Sequence, residues 1–405
     1  MSSSLKSAIE NQAFINQIVK QIGASLSNVT NTTHTCGLLG GLSGDLLFLV
    51  KLSQYQPALV NENIFNNKLE YLQQQLDSQV HRPDLNTGLS GQGWFFEYIN
   101  QAQGRDYDAE LCEGIDEILL EALAIENWKG EIETVLGLSG IAIYAGRRQL
   151  KSAPVALFEK IVTHFEYTAT QISANTQSWS QPSGSVYRFN KDHLEIPEFN
   201  LGLAHGVPGI IAAILPALKI PVLFKRTKRL LVQSCDWLLQ QELAQPQNIS
   251  CFSSSCNDKK GSRLGWCYGD VTIALTLARV GKALELPSYI DKARQISLHA
   301  ANRDSAQGMI NDAGICHGSA GLSLIFQLLN QQLNEPKLEQ AANNWLLYTL
   351  ALYRDKGLPG FYMYSPLTKE YQEDTSFLMG YGGIGLCLLS ALGETPDWAD
   401  CLLLA

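Results

Sequence analysis

The sequence predicts an all-α protein, an α/α barrel or toroid with seven inner helices enclosed by seven outer ones. Three observations predict it. A small-residue turn recurs seven times along the 405 residues. Each turn opens onto a short segment that is apolar nearly all round. Between these segments lie longer ones whose apolar residues recur at i, i+3, i+4 and i+7. A helix apolar on every side must be buried on most sides, whereas a one-faced helix covers a core. Alternation of the two kinds therefore gives an inner and an outer layer. A set of seven pairs favours a closed ring over an open α-solenoid.

The elements follow in order. Residues 5–27 read as the first outer helix. Gly41-Leu-Ser-Gly44 then precedes DLLFLVKL, and ENIFNNKLEYLQQQL has outer character. Gly88-Leu-Ser-Gly91 precedes QGWFFEYI, followed by AELCEGIDEILLEALA. Gly137-Leu-Ser-Gly140 precedes IAIYAG, followed by PVALFEKIVTHFEYTAT. Next comes the longest gap, containing QSWSQPSGSVYRFNKDHLEIPEF. It is rich in Ser, Pro and Gly with a β-like run, SVYRF, and residues 174–200 or so read as an inserted loop or small subdomain within one domain spanning 1–405. Gly206-Val-Pro-Gly209 precedes IIAAILPAL, and LFKRTKRLLVQSCDWLLQQEL is outer. Trp266-Cys-Tyr-Gly269 precedes DVTIALTLA, and Gly318-Ser-Ala-Gly321 precedes LSLIFQLL. LEQAANNWLLYTLALYR is outer, and Gly382-Gly-Ile-Gly385 precedes LCLLSAL. Glycine permits tight turns and close approach where inner helices begin. All seven turns then gather at one rim. Gly380 to Gly385 also matches G-x-G-x-x-G, but it is the seventh copy of a helical repeat, not the βαβ context that dinucleotide binding needs.

Charged residues are 17% of the chain against about 25% in a typical soluble domain, which implies much interior per unit surface. The net charge is −9 with no basic run, which argues against nucleic acid. The N-terminus lacks an apolar signal core, and no stretch reads as a membrane span, so a cytoplasmic location is expected. Nine cysteines, an odd number, suit reduced thiols better than a disulfide framework. In that compartment the sequons at Asn28, Asn31 and Asn248 carry no weight.

Three turns carry reactive side chains: His205 in GLAHGVPG, Cys267 in RLGWCYGD, and Cys316 with His317 in ICHGSAG. A Cys-His pair by itself is more often a buried thiol and a hydrogen-bonded imidazole. Placement on one rim favours ligands of a zinc-type metal instead. Three protein ligands leave a position open for water or substrate. His34-Thr-Cys36 has no partner cysteine nearby and reads as structural, and Cys251 and Cys256, in SCFSSSCND, read as exposed bystanders.

With GLAHGVPG, RLGWCYGD, ICHGSAG and the seven glycine turns, the chain resembles the lanthionine synthetase C family, the cyclases of lanthipeptide (lantibiotic) biosynthesis, in its stand-alone form. The resemblance implies an α/α toroid of two seven-helix layers. It implies one zinc per chain on Cys267, Cys316 and His317. It implies catalytic roles for His205, Arg263 and Tyr268, and for Glu133, where the family usually has Asp. The implied reaction is addition of a peptide cysteine thiolate to dehydroalanine or dehydrobutyrine, with His205 as acid or base and Arg263 beside the enolate charge. The implied substrate is a dehydrated precursor peptide. A lanthipeptide dehydratase and an ABC transporter are the implied partners, through which the chain is peripheral to the membrane. Two other readings stand beside this one. One is a relative that adds glutathione to dehydroamino acids in proteins, and the other is a non-catalytic peptide-binding scaffold.

Overall fold

The apolar segments after the turns form helices buried on every side. The computed structural model describes residues 3–29, 35–78, 82–103, 109–148, 152–244 and 249–405; His34, Asn31 and Asn248 lie outside them. Numbered in chain order, the inner helices are α2 (Leu42–Tyr55), α4 (Leu89–Gln103), α6 (Leu138–Arg147), α8 (Val207–Ile214), α10 (Asp270–Ala283), α13 (Ser319–Leu333) and α15 (Tyr381–Ala391). Every residue from Leu42 to Leu52, and the whole of α8, is buried. The outer helices are α1 (Ser3–Asn28), α3 (Glu62–Ser78), α5 (Ala109–Ala122), α7 (Ser152–Thr168), α9 (Phe224–Leu239), α11 (Pro287–Ala300) and α14 (Pro336–Lys356). They are one-faced: α9 buries Thr227, Leu230, Leu231, Ser234 and Leu238 while Lys225, Lys228 and Arg229 face solvent. A short helix α12 (Ser305–Gly308) lies between α11 and α13.

The ring closes. Each inner helix packs on the next, from α2 through α4, α6, α8, α10, α13 and α15, and α15 packs back on α2. Helix α1 packs on α15 as well as α2, so the first outer helix covers the last inner one. Residues Asp397–Leu402 form a 3₁₀ turn that seals the ring at the C-terminal ends of the inner helices, with Trp398, Cys401 and Leu402 buried. Lys51 from α2 pairs with Asp397 (3.3 Å), Tyr98 from α4 donates to Asp397 (2.9 Å), and Arg147 from α6 pairs with Asp400 (3.1 Å).

Six of the seven turns are closed by one recurring hydrogen bond, from the first helical N–H to a carbonyl seven residues back. Leu42 donates to Thr35, Leu89 to Arg82, Leu138 to Glu131, Val207 to Asn200, Ser319 to Asp312 and Tyr381 to Asp374, over 2.8–3.1 Å. This bond corrects the register of the seventh copy, and the helix start corrects that of the fifth. In the seventh, the helix cap is Gly380, so the recurring pair is Gly380 and Gly383 rather than Gly382 and Gly385. A Cβ on Gly383 would lie 1.9 Å from the carbonyl of Phe377, as one on Gly44 would lie 2.3 Å from that of Leu38. In the fifth, Gly269 is the cap that opens the turn-to-helix junction, not its last glycine. What recurs is a start position with no room for a side chain, and glycine-rich neighbours hide which glycine that is.

The gap before the fourth turn begins with a hairpin of β1 (Thr170–Gln171) and β2 (Gln177–Ser178). The SVYRF run then forms turns, not a strand. Side chains satisfy its backbone: Glu131 accepts from Val186 N–H (3.1 Å), and Glu198 from Phe189 and Asn190 (both 2.9 Å). A second hairpin, β3 (Met363–Ser365) with β4 (Glu370–Gln372), lies between α14 and α15. Among the described residues no helix is long and apolar enough to cross a membrane.

Candidate metal centre and reaction site

Neighbouring turns are tied to one another by backbone hydrogen bonds, and this belt brings the reactive residues together. Asn86 donates to Val135 (3.1 Å), Thr134 to Ala204 (3.0 Å) and Ala204 to Cys267 (3.3 Å). Trp266 and Cys267 both donate to the carbonyl of Cys316 (2.7 and 3.2 Å), Cys316 to Leu378 (3.1 Å) and Leu378 to Leu39 (3.0 Å). The belt thus runs from the second turn round to the first. The turns approach too closely for side chains between them. A Cβ on Gly202 would meet the carbonyl of Cys267 at 2.4 Å, and one on Gly265 would meet that of Cys316 at 2.8 Å.

In the corrected register, Cys267 and Cys316 each stand two residues before their cap glycines, Gly269 and Gly318. His205, Tyr268 and His317 each stand one before theirs. Equivalent positions of neighbouring repeats therefore face the same space. The ligand-type atoms of Cys267, Cys316 and His317 all lie within 4.8 Å of one another. The fifth turn departs from the others: Gly269 has φ +116°, a conformation that disfavours any side chain, whereas Gly41, Gly137, Gly206, Gly318 and Gly380 cap at negative φ. Cys267 immediately precedes this bend at Tyr268-Gly269.

The two sulfurs are electrostatically unequal. A hydrogen bond from Cys316 holds the Cys267 thiol well below the usual range, and His317 and Arg263 reinforce this. Cys316 is pushed well above it, first by that shared bond and then by burial. The set suits a soft divalent metal: two convergent sulfurs, one already favoured as thiolate, beside an imidazole. Among the described residues the buried Nδ1 of His317 has no hydrogen-bond partner, which suits a nitrogen left for a metal.

Beside this cluster, Nδ1 of His205 lies 2.8 Å from Oε2 of Glu133. Glu133 also accepts the N–H groups of Val135 (2.9 Å) and Leu136 (2.5 Å), which fixes its carboxylate. The extra methylene relative to Asp is thus taken up in a cradle of two amides. Tyr268 lies tilted by 50° to His205, with centroids 6.2 Å apart, and its hydroxyl accepts from Asn200 (3.0 Å). Burial raises its pKa and keeps it a neutral phenol. Arg263 donates to the carbonyl of Met309 (3.0 Å), and no carboxylate pairs with it among the described residues. Its buried Nε has no hydrogen-bond partner among the described residues, and its positive charge acts on the sulfurs of Cys267 and Cys316.

All seven residues singled out in the sequence lie at this rim. Three participants escaped that reading: Tyr187, stacked on His205; Asn200, which holds Tyr268; and Gln181, which donates to the His205 carbonyl. The usable signal is the alternation of Tyr187 and Phe189 in SVYRF, a β-like run inside the inserted loop. Cys251 is corrected as well: it is 3% exposed, its N–H donates to Asp270 (3.0 Å), and burial pushes its thiol up to about 12. Cys256 is half-buried.

The fold and site define a helical toroid with a Cys-Cys-His cluster and a carboxylate–imidazole pair on one rim. The family model described as lanthionine synthetase C-like protein matches residues 32–403. The chain belongs to that family. It is 22% identical over 328 residues to the nisin biosynthesis protein NisC of Lactococcus lactis subsp. lactis, covering 74% of this chain and 75% of that one. Its fold matches the solved structure of nisin cyclase with a TM-score of 0.69 at 19% identity, over 96% of each chain.

Proposed function

We propose that this chain is a zinc-dependent lanthipeptide cyclase. It joins cysteine thiolates of a dehydrated precursor peptide to dehydroalanine or dehydrobutyrine, forming lanthionine or methyllanthionine rings. The observation that carries the reading is the convergence of Cys267, Cys316 and His317 beside the Glu133–His205 pair. Family membership and the likeness to nisin cyclase support it.

Cys267, Cys316 and His317 would hold the metal. Zinc, when bound, supplies the Lewis acidity that keeps a substrate thiol deprotonated at neutral pH, where a free thiol with pKa of about 8.5 is mostly protonated. Glu133 commits Nδ1 of His205 as a donor, which leaves Nε2 as the ring atom that exchanges a proton. The sulfur bonds to the β-carbon of the dehydro residue, the π electrons move onto the carbonyl as an enolate, and a proton returns to the α-carbon. His205 takes up or delivers that proton. Arg263, a fixed cation with no carboxylate partner among the described residues, stabilises the enolate charge. Tyr268, steadied by Asn200, orients groups between them.

The test is incubation of the zinc-loaded protein with a synthetic peptide carrying one dehydroalanine and one cysteine. Ring closure is read as loss of the alkylatable thiol without a change in mass. Cys316→Ala should abolish closure and leave peptide binding intact. A glutathione adduct on a cysteine-free dehydrated peptide, with no ring closure on the first peptide, would replace this reading with that of a glutathione-adding enzyme.

A further inference from the structure

The loop between the third and fourth turns contributes to the reaction site. Tyr187 lies flat on the imidazole of His205, with ring centroids 3.7 Å apart and planes 17° apart. Two residues on, Phe189 leans on Tyr268, with centroids 5.8 Å apart. One short segment therefore reaches both aromatic groups of the site.

The loop is built to hold that position. Arg188, between the two aromatics, is 4% exposed and has no acidic partner among the described residues. Its guanidinium instead gathers the loop's own carbonyls: Gln181 (3.3 Å), His193 (3.2 Å) and Ile196 (2.9 Å). Glu198, 1% exposed, accepts the N–H groups of Phe189 and Asn190, and its carbonyl accepts from Gln181 N–H (2.7 Å). Burying two charges is costly, and here backbone groups offset the cost by fixing the path of an otherwise irregular segment. The loop is also tied directly to the catalytic pair. Gln181 donates to the carbonyl of His205, and Glu131, two residues before Glu133, accepts from Val186.

We propose that Tyr187 is a positioning residue for His205. Imidazole χ2 is a broad, roughly two-fold rotor, and one hydrogen bond at Nδ1 does not fix the ring plane. A phenol face in van der Waals contact does, and it excludes water from that side of the ring. Glu133 then sets the tautomer, and Tyr187 sets the direction in which Nε2 points. A π-face is also a favourable neighbour for the imidazolium formed when His205 takes a proton. Burial, with Glu133 and Glu131 nearby, raises the pKa of Tyr187 and keeps the phenol uncharged. The role belongs to the ring and not to the hydroxyl, so phenylalanine should fill it.

The kinetic part rests on the proposed cyclase reading; the geometric part does not. The experiment uses full-length, zinc-loaded protein labelled with ¹⁵N-histidine, with the His205 ring signals assigned by His205→Asn. Wild type and Tyr187→Phe should show one His205 species protonated at Nδ1. Tyr187→Leu should show exchange-broadened or mixed-tautomer signals. On the dehydrated, cysteine-containing peptide, Tyr187→Leu should lose on the order of tenfold to a hundredfold in kcat with KM little changed. Phe should restore it, and Leu should cost nothing more in a His205→Asn background. Tyr187→Met serves the same comparison if the leucine variant does not fold. An unchanged His205 spectrum and kcat in Tyr187→Leu or Tyr187→Met would overturn the proposal. Absence of ring closure in wild type would remove the cyclase reading, and the His205 spectra would still decide the positioning role.

Discussion

Oε2 of Glu133 lies 2.8 Å from Nδ1 of His205, across 72 residues of sequence and between adjacent turns of the ring. The pair exists because Thr134 donates to the carbonyl of Ala204 (3.0 Å), which docks the third turn on the fourth one residue away from each partner.

Glu133→Gln keeps the shape and removes the charge. It should lower kcat for ring closure by about 10²–10⁴, the span typical of positioned acid–base groups, while the melting temperature changes little. Single-turnover rates on a dehydrated peptide, measured beside a thermal melt, check it. A rate within threefold of wild type would mean that Glu133 only caps the turn formed by Val135 and Leu136.

Metal content is the second test. Elemental analysis of reduced protein should give close to one zinc per chain, and Cys316→Ala or Cys267→Ala should lose it. Chelation should stop ring closure, and added zinc should restore it. Zinc retained in both cysteine variants would place the metal elsewhere.

Gly265→Ala probes the docking of the fifth turn on the sixth. The added Cβ would lie 2.8 Å from the Cys316 carbonyl and 3.0 Å from the His317 Cα, both backbone atoms that cannot swing away. The expected cost is about 1–3 kcal/mol of stability, with zinc affinity reduced because the ligands of the two turns are spread apart. A variant with normal stability and a normal zinc competition curve would show that the belt is not what sets ligand spacing.

Asp45 gives a pH test of stability. It lies in the first turn of α2, fully buried, and neither carboxylate oxygen has a hydrogen-bond partner among the described residues. Burial raises its pKa to about 8; Lys68 opposes the rise and Asp374 adds to it. An unfolded Asp titrates near 3.9. The folded state therefore holds the proton more tightly, and this group's contribution is full below about pH 4 and lost as pH rises towards 8. Asp45→Asn should stabilise the protein, with a gain that grows from pH 5 to pH 8 by at most about 1.4 kcal/mol per unit. Denaturant midpoints at the two pH values measure it. A gain that shrinks with pH would reverse the assignment.

The two layers, the seven inner and seven outer helices, and the residue types of the Cys-Cys-His cluster were legible in the chain alone. Those signals are local: apolar periodicity separates inner from outer helices, glycine marks each helix start, and Cys316 and His317 are neighbours in the chain. Register was less legible, because Gly380, Gly382, Gly383 and Gly385 all fit a short glycine pattern, and only the helix start and the close approach of Gly380 and Gly383 to backbone carbonyls show which pair recurs. Ring closure rests on α15 meeting α2, a contact between segments more than three hundred residues apart. The loop was least legible. Nothing in SVYRF says that Arg188 will turn inward to bind carbonyls, or that Tyr187 will thereby lie on His205. Those outcomes depend on where Glu198 and the fourth turn come to rest in space, and a buried charge selects its partners only after the surrounding chain has excluded water.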